Sequence, residues 1–188
     1  EEEGAVDRLC SEVAVEGALD GIVHSIAFAD YSEGFRPFHE TRRGQFLQAT
    51  QISAFSLSEI ANAFRKHLKE DASVVSIGIS TTELTAENYG YMGPVKAALE
   101  SSTRYLATEL GPEGIRVNAI SPGPIRTRAA SGLKDFEALA TDGETRSPLR
   151  RLASVDDIGN TAAWLISEAG SAVTGGIHYV DAGHHIQF

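Results

Sequence analysis

The feature that most constrains the fold is an alternation of short apolar runs with segments of helical length. Four runs are predicted to be buried strands, at 21–26, 73–79, 115–120 and 177–180. Each interval between runs is long enough to hold a helix, and the helix preceding the third run must end at Pro112, which cannot continue it. This order is typical of βαβ units. We therefore predict a doubly wound α/β fold, Rossmann-like, with a parallel sheet covered by helices on both faces.

The helices are predicted from apolar spacing and from the residues that begin or end them. The predicted segments are helices at 2–16, 41–68 and 89–110, a loop at 27–40 and a partly helical connection at 121–150. Ser154 is predicted to cap a further helix, because Asp157 follows three residues later. With no repeat and no linker, residues 1–188 are expected to form a single domain.

A dinucleotide-binding domain begins with a strand, a glycine-rich turn and a helix, whose backbone N–H groups meet the pyrophosphate. No such turn precedes the first predicted strand at 21–26. We therefore expect that the first βαβ units, on the order of 60 residues at about 30 per unit, are not part of this sequence.

Composition and charge exclude several classes of function. The formal net charge is -10, which argues against a nucleic-acid groove and against a polybasic membrane anchor. No apolar run is long enough to span a bilayer, and Glu1, Glu2 and Glu3 are the reverse of a basic signal-peptide start. Cys10 is the only cysteine, so a reducing, cytoplasmic location is expected. The six histidines show no metal-ligand spacing, and no metal is predicted.

Tyr89 and Lys96 are the residues that indicate chemistry. Seven positions on one helix are two turns, which would place both side chains on one face about 10 Å apart. A lysine there can hold a cofactor ribose and lower the pKa of a phenol, which then donates to an oxygen gaining negative charge. Taken alone, the pair is more simply explained by a core tyrosine and a surface lysine. Pro94 moves the expected helix start toward Gly93, so Tyr91 is a second candidate phenol.

The residues around this pair resemble the enoyl-acyl-carrier-protein reductases, a branch of the short-chain dehydrogenase/reductase superfamily. Short-chain reductases at large use Tyr-x-x-x-Lys, which would need a tyrosine at Met92, whereas six intervening residues followed by 97–100 are typical of the enoyl branch. Further segments resemble the family in the same order: 20–29, 104–107, 111–120, 122–127, 129–136, 147–151, 156–160 and 180–183.

The resemblance implies roles for particular residues. Tyr89 is implied to be catalytic, and Lys96 to be catalytic and to hold the cofactor ribose. The implied cofactor-binding residues are Ser25, Ile26, Ala27, Lys96, Gly123, Pro124, Ile125 and Thr127. The implied acyl pocket is Ile79, Met92, Ala129, Leu133 and Phe136, with 121–150 as the substrate-binding loop and helix. The sequence departs from the family at Ala27, where glycine is usual, and at Ile79 or Ser80, where the family has a second aromatic.

The implied activity is reduction of the 2,3 double bond of a trans-2-enoyl thioester linked to acyl carrier protein, in fatty-acid synthesis. The implied cofactor is NADH, with NADPH as the alternative, since the discriminating strand lies outside this sequence. The family also forms tetramers through two helices that correspond here to 41–68 and 89–110. Two alternatives remain open: a short-chain reductase acting on a carbonyl, and a non-catalytic truncated paralogue.

Overall fold

The centre of the molecule is a parallel sheet of four strands in chain order. The structure is a computed structural model that describes residues 4–83, 85, 90–127 and 136–187. The strands are β1 (Leu19–His24), β2 (Leu68–Ile77), β3 (Arg116–Pro122) and β4 (Ile177–Val180), paired β1-β2-β3-β4. Every pairing is parallel, which confirms the predicted α/β class.

In the described ranges, six α-helices connect and cover the strands. They are α1 (Ala5–Val13), α2 (Arg43–Thr50), α3 (Ser56–Phe64), α4 (Met92–Leu110), α5 (Phe136–Arg146) and α6 (Val155–Ile166). The predicted helix over 41–68 is interrupted, because a π-helical turn, Gln51–Phe55, joins α2 to α3. The predicted cap of α6 is confirmed. Ser154 Oγ accepts from the Asp157 N–H at 3.1 Å, and Asp157 accepts in return from the Ser154 N–H at 2.8 Å.

Helices lie on both faces of the sheet, as the doubly wound prediction requires. Successive residues of a strand point to opposite faces. Val74 packs into a core formed with α3 and α4, around Leu57 and Leu99, while the adjacent Val75 packs against Leu165 of α6. All five side chains are fully buried. The two cores hold β2 and β3 rigidly between layers.

The bounds of β1, β2 and β3 differ from the predicted runs, and the largest difference is at the start of β2. β2 begins at Leu68 rather than at residue 73, because β1 and β2 stay paired across an irregular register in which Leu19 opposes Leu68 and Gly21 opposes Ser73. Of the inserted residues, Lys69, Glu70 and Asp71 are polar and Asp71 has φ 68, so apolar runs did not indicate this stretch. β1 ends at His24, which places the next residues in a loop.

The carboxyl ends of β1, β2 and β3 meet at one edge of the sheet because the strands are parallel. The loops that leave these ends, at 25–31, 78–83 and 123–127, lie together with the amino-terminal turn of α4. Ligands of parallel α/β proteins bind at such an edge. Within the described parts of the chain, no helix has the length and apolarity needed to cross a membrane.

Candidate active site

Lys96 lies in the second turn of α4 and is almost completely buried, with 2% of its surface exposed. Its Nζ donates to the Ile26 carbonyl at 3.1 Å and to the Ile77 carbonyl at 2.8 Å. These carbonyls belong to the loop after β1 and to the last residue of β2. A single ammonium therefore ties two strand ends together, and the simpler explanation of Lys96 as a surface lysine is wrong.

The electrostatics of Lys96 follow from that burial. Removal from water disfavours the charged form and lowers the pKa of Lys96 from 10.5 to about 8. Two of its three N–H donors are used by the carbonyl oxygens, which leaves one donor for a ligand hydroxyl. At neutral pH the site presents a protonated, oriented donor at the sheet edge.

His24, the last residue of β1, is a neutral neighbour of this ammonium. Burial, followed by the charge of Lys96, lowers the pKa of His24 from 6.5 to about 4. Its Nε2 lies 2.8 Å from Ser56 Oγ, and that hydroxyl donates to the Ile52 carbonyl at 2.6 Å. The serine proton is thus used elsewhere, so Nε2–H is the donor and the imidazole is neutral.

The loops after β2 and β3 are held by short contacts. Ser121 Oγ donates to the Ile79 carbonyl at 2.9 Å, and Thr82 Oγ1 donates to Glu100 at 2.9 Å. Burial raises the pKa of the Glu100 carboxyl. At Gly123 a Cβ would lie 2.8 Å from Asp181 Cβ, so only glycine lets this turn pack against the end of β4.

The burial and contacts of Tyr91 argue against it as the catalytic phenol. Its side chain is 4% exposed, and its hydroxyl donates to the Asp30 carbonyl at 2.9 Å. The ring packs against Tyr31 and Phe46, with centroids 5.1 Å and 6.3 Å away. Burial also raises the pKa of Tyr91, which makes it a poorer acid.

The predicted helix does not run continuously from 89 to 96, and its start lies next to Gly93, as Pro94 predicts. Gly90 has φ 74, and α4 begins only at Met92. Gly90 is required there, because a Cβ would also lie 2.8 Å from the Tyr31 ring. Since the shared-face argument assumed that helix, it no longer supports Tyr89, and Tyr89 itself lies outside the described residues.

The predicted cofactor residues are brought to one edge. Ser25, Ile26 and Ala27 form the exposed loop after β1, whose Ile26 carbonyl contacts Lys96. The residues of the loop after β3 lie on the same side of the sheet: Gly123, Pro124, Ile125 and Thr127. The two loops follow strands separated only by β2.

The predicted acyl-pocket residues are only partly described. Ile79 is half-buried directly after β2, and Phe136 is buried at the start of α5. Met92 is half-buried and packs at the edge of the core around α3 and α4. Ala129 and Leu133 lie outside the described residues. Sequence reasoning missed Ser53, Ser56 and Glu100, since nothing in their spacing distinguishes them from polar residues of an amphipathic helix.

This edge fits a nicotinamide cofactor. It supplies the buried Lys96 ammonium, which has one N–H donor not used by the two carbonyls, and backbone loops at the carboxyl ends of parallel strands. It also supplies a turn at Gly123 in which a Cβ would collide with Asp181. The class defined by the fold and the site is a parallel α/β protein with a dinucleotide-type crevice.

Known proteins resolve this class further. The sequence matches a family model described as Enoyl-(Acyl carrier protein) reductase over residues 1–185. It is 44% identical over 170 residues to the enoyl-acyl-carrier-protein reductase (NADH) of Bacillus subtilis (strain 168), covering 90% of this chain and 66% of the relative. It is 41% identical over 187 residues to enoyl-acyl-carrier-protein reductase (NADH) 2 of Rhizobium meliloti (strain 1021), covering 99% and 70%. This chain belongs to the enoyl-acyl-carrier-protein reductase family.

A solved structure agrees with this membership. The crystal structure of the Bacillus cereus enoyl-acyl carrier protein reductase with NADP+ and indole naphthyridinone superimposes with a TM-score of 0.96 at 39% identity. The match covers 100% of this chain and 73% of that one. The predicted resemblance is confirmed, and the enoyl branch is favoured over the carbonyl-acting reductases. The chain spans about two thirds of the length of the curated relatives it matches.

Proposed function

We propose that the whole protein reduces the 2,3 double bond of a trans-2-enoyl thioester carried by acyl carrier protein, in fatty-acid synthesis. The observation that carries the proposal is the buried Lys96 ammonium at the carboxyl ends of β1 and β2, in a chain of this family. The relatives' names specify enoyl-acyl-carrier-protein reduction. NADH is the proposed cofactor and NADPH the alternative, since relatives are named for either one.

A bound nicotinamide cofactor supplies the hydride that reaches the β-carbon of the thioester. Lys96 donates its remaining N–H to a ribose hydroxyl, while its charge lowers the pKa of a nearby phenol and so makes that hydroxyl a stronger hydrogen-bond donor. Tyr89 donates a hydrogen bond to the thioester oxygen as negative charge develops there. The α-carbon of the resulting enolate then takes up a proton to give the saturated thioester.

The surrounding loops bind and orient the cofactor and the substrate. The backbone of 25–27 and of 123–125 contacts the cofactor, and Thr127 contacts its phosphates. Residues 121–150 form the substrate-binding segment within a single domain over 1–188. Ala129, Leu133 and Phe136 of that segment line the acyl pocket with Ile79 and Met92.

The test is oxidation of NADH by the whole protein with a crotonyl or longer 2-enoyl thioester. Tyr89→Phe should lower turnover about 100-fold or more, since it removes the hydroxyl that meets the developing charge. Lys96→Ala should raise the KM for NADH and lower turnover. Tyr91→Phe is the matched control, because its hydroxyl is bound to the Asp30 carbonyl, and it should stay within about threefold of wild type.

Two outcomes would contradict the assignment. No turnover on any enoyl thioester by a folded protein would leave a carbonyl-acting reductase or a non-catalytic paralogue. A larger loss of turnover in Tyr91→Phe than in Tyr89→Phe would make Tyr91, and not Tyr89, the catalytic tyrosine.

The protein is also proposed to assemble as a homotetramer through α3 and α4. A groove of about 670 Å³ lies between these helices, lined by small residues such as Ala61, Ala98 and Ser102. Tyr105 stands beside it with 71% of its surface exposed. Light scattering should give the mass of four chains, and Ser102→Arg should lower it, whereas the exposed α5 variant Thr141→Arg should not. A monomeric wild type at micromolar concentration would refute this assembly.

A further inference from the structure

The first four residues after β1, 25–28, have exposed side chains, so hydrogen bonds rather than burial hold this part of the loop. Ile26 and Phe28 are 38% and 42% exposed, so neither anchors the loop by burial. The backbone of 25–28 is fixed instead at Ile26, whose carbonyl accepts from Lys96, and at Phe28, whose N–H and carbonyl both bond to Ser53. The position of this loop thus depends on a few buried polar atoms.

Ser53 uses both functions of its hydroxyl on one residue. Its Oγ accepts from the Phe28 N–H at 2.8 Å and donates to the Phe28 carbonyl at 3.0 Å. The serine is fully buried, so its hydroxyl holds Phe28 from the side of the core. Loss of the hydroxyl leaves a backbone donor and a backbone acceptor without their partner.

The π-helical turn accounts for the placement of this serine. Ser53 lies inside the turn Gln51–Phe55, and Ser56 follows it with its Oγ on the Ile52 carbonyl and on His24 Nε2. A π-turn is less favourable than continuous α-helix and is frequent at functional sites. Ser56, directly after the turn, contacts His24 at the end of β1. Ser53, inside the turn, contacts Phe28 in the loop four residues later.

We propose that Ser53 is a positioning residue for the cofactor: by clamping Phe28 it fixes the 25–28 loop, including the Ile26 carbonyl that orients Lys96. The inference rests on the proposed function. Phe28 is two residues from Ile26, so release of Phe28 frees the carbonyl that holds one N–H of Lys96. The backbone of 25–27, which is proposed to contact the cofactor, and the orientation of the Lys96 ammonium then become less well defined.

The experiment compares Ser53→Ala with wild type in the whole protein. Hydrogen exchange of the 24–29 segment should be about tenfold faster or more, because the Phe28 amide has lost its acceptor. The KM for NADH should rise about tenfold, while the KM for the enoyl thioester changes less than threefold. Thermal unfolding establishes that the variant is folded at the assay temperature.

The matched control is Ser73→Ala. Ser73 is also fully buried, and its hydroxyl finds no partner among the described residues. Removing an unpaired buried hydroxyl leaves no polar group unsatisfied, so exchange at 24–29 and the KM for NADH should stay at wild-type values.

The outcomes separate the inference from the function on which it rests. Faster exchange with an unchanged KM for NADH in an active enzyme makes Ser53 purely structural and overturns the positioning role alone. Unchanged exchange overturns the clamp itself. If the wild type neither binds nor oxidises NADH, the proposed function fails and the positioning role fails with it, although the exchange result still reports on the clamp.

Discussion

Lys96→Met gives a stability difference that changes with pH in a direction set by the structure. The ammonium is buried at 2% exposure, and burial lowers its pKa from 10.5 to about 8. Methionine has a similar length and no charge, so it fills the same space without titrating. Above pH 7 the difference in free energy of unfolding, wild type minus variant, follows the titration of this lysine, because His24, whose pKa Lys96 lowers, is neutral there.

The sign and size follow from linkage. Between pH 8 and 10.5 the unfolded chain retains the lysine proton while the folded protein has released it, so wild-type stability rises with pH relative to the variant. From pH 7 to pH 9.5 the rise is about 2 kcal/mol, approaching about 3 kcal/mol once both states are neutral. Below about pH 6.5 the difference also contains the titration of His24, whose pKa the charge of Lys96 lowers, so the comparison begins at pH 7.

Urea unfolding at pH 7.0, 8.0, 9.0 and 9.5 measures this difference directly. The pH 7.0 value itself is not the test, since methionine also leaves the Ile26 and Ile77 carbonyls without their donor. A difference that stays flat across the series would refute the reasoning, because it would mean that Lys96 is solvated or paired in the folded protein. A falling difference would mean that its pKa is raised.

Three further changes test the backbone and caps by denaturant unfolding. Ala182→Gly should raise the free energy of unfolding by up to about 1 kcal/mol, because φ 58 strains the backbone of an alanine. The control Ala163→Gly, inside α6, should lower it by about 1 kcal/mol, and a loss of stability in both variants would contradict backbone strain at Ala182. Ser154→Ala should cost about 1 kcal/mol through loss of the capping box, and an unchanged midpoint would contradict that role. Gly90→Ala should cost more than 1 kcal/mol, since it combines φ 74 with a Cβ 2.8 Å from Tyr31; wild-type stability would show that this turn relaxes freely.

The strands were predictable because parallel strands buried on both faces are continuous apolar runs. β4 begins and ends where the sequence predicts, at Ile177 and Val180. The early residues of β2 were missed for the same reason, since Lys69, Glu70 and Asp71 are polar and lie in the irregular register between Leu68 and Ser73. The π-turn at Gln51–Phe55 was not predictable, because it keeps the helical direction and interrupts no apolar pattern.

The candidate site was predictable only where it resembled a known motif. Lys96 was indicated by its spacing and context, but its burial was not, because a lysine in a helix is ordinarily solvated. Ser53 and His24 gave no signal, since their role depends on contacts with residues 25 and 32 positions away in sequence. Such partners become visible only when the chain is folded.

The position of Lys96 is unfavourable by every local criterion, and that supports its functional role. It lies near the amino-terminal end of α4, where the helix dipole disfavours a cation, and burial disfavours the charge further. Two backbone carbonyls compensate, and each depends on another part of the fold: Ile77 on β2, and Ile26 on a loop that Ser53 holds. An apolar residue would satisfy the core without any of these supports. Because this unfavourable lysine is held by its own set of contacts, the arrangement is explained by a ligand that accepts from the remaining N–H. Substitution of the residues that make these contacts should weaken cofactor binding more than it weakens folding.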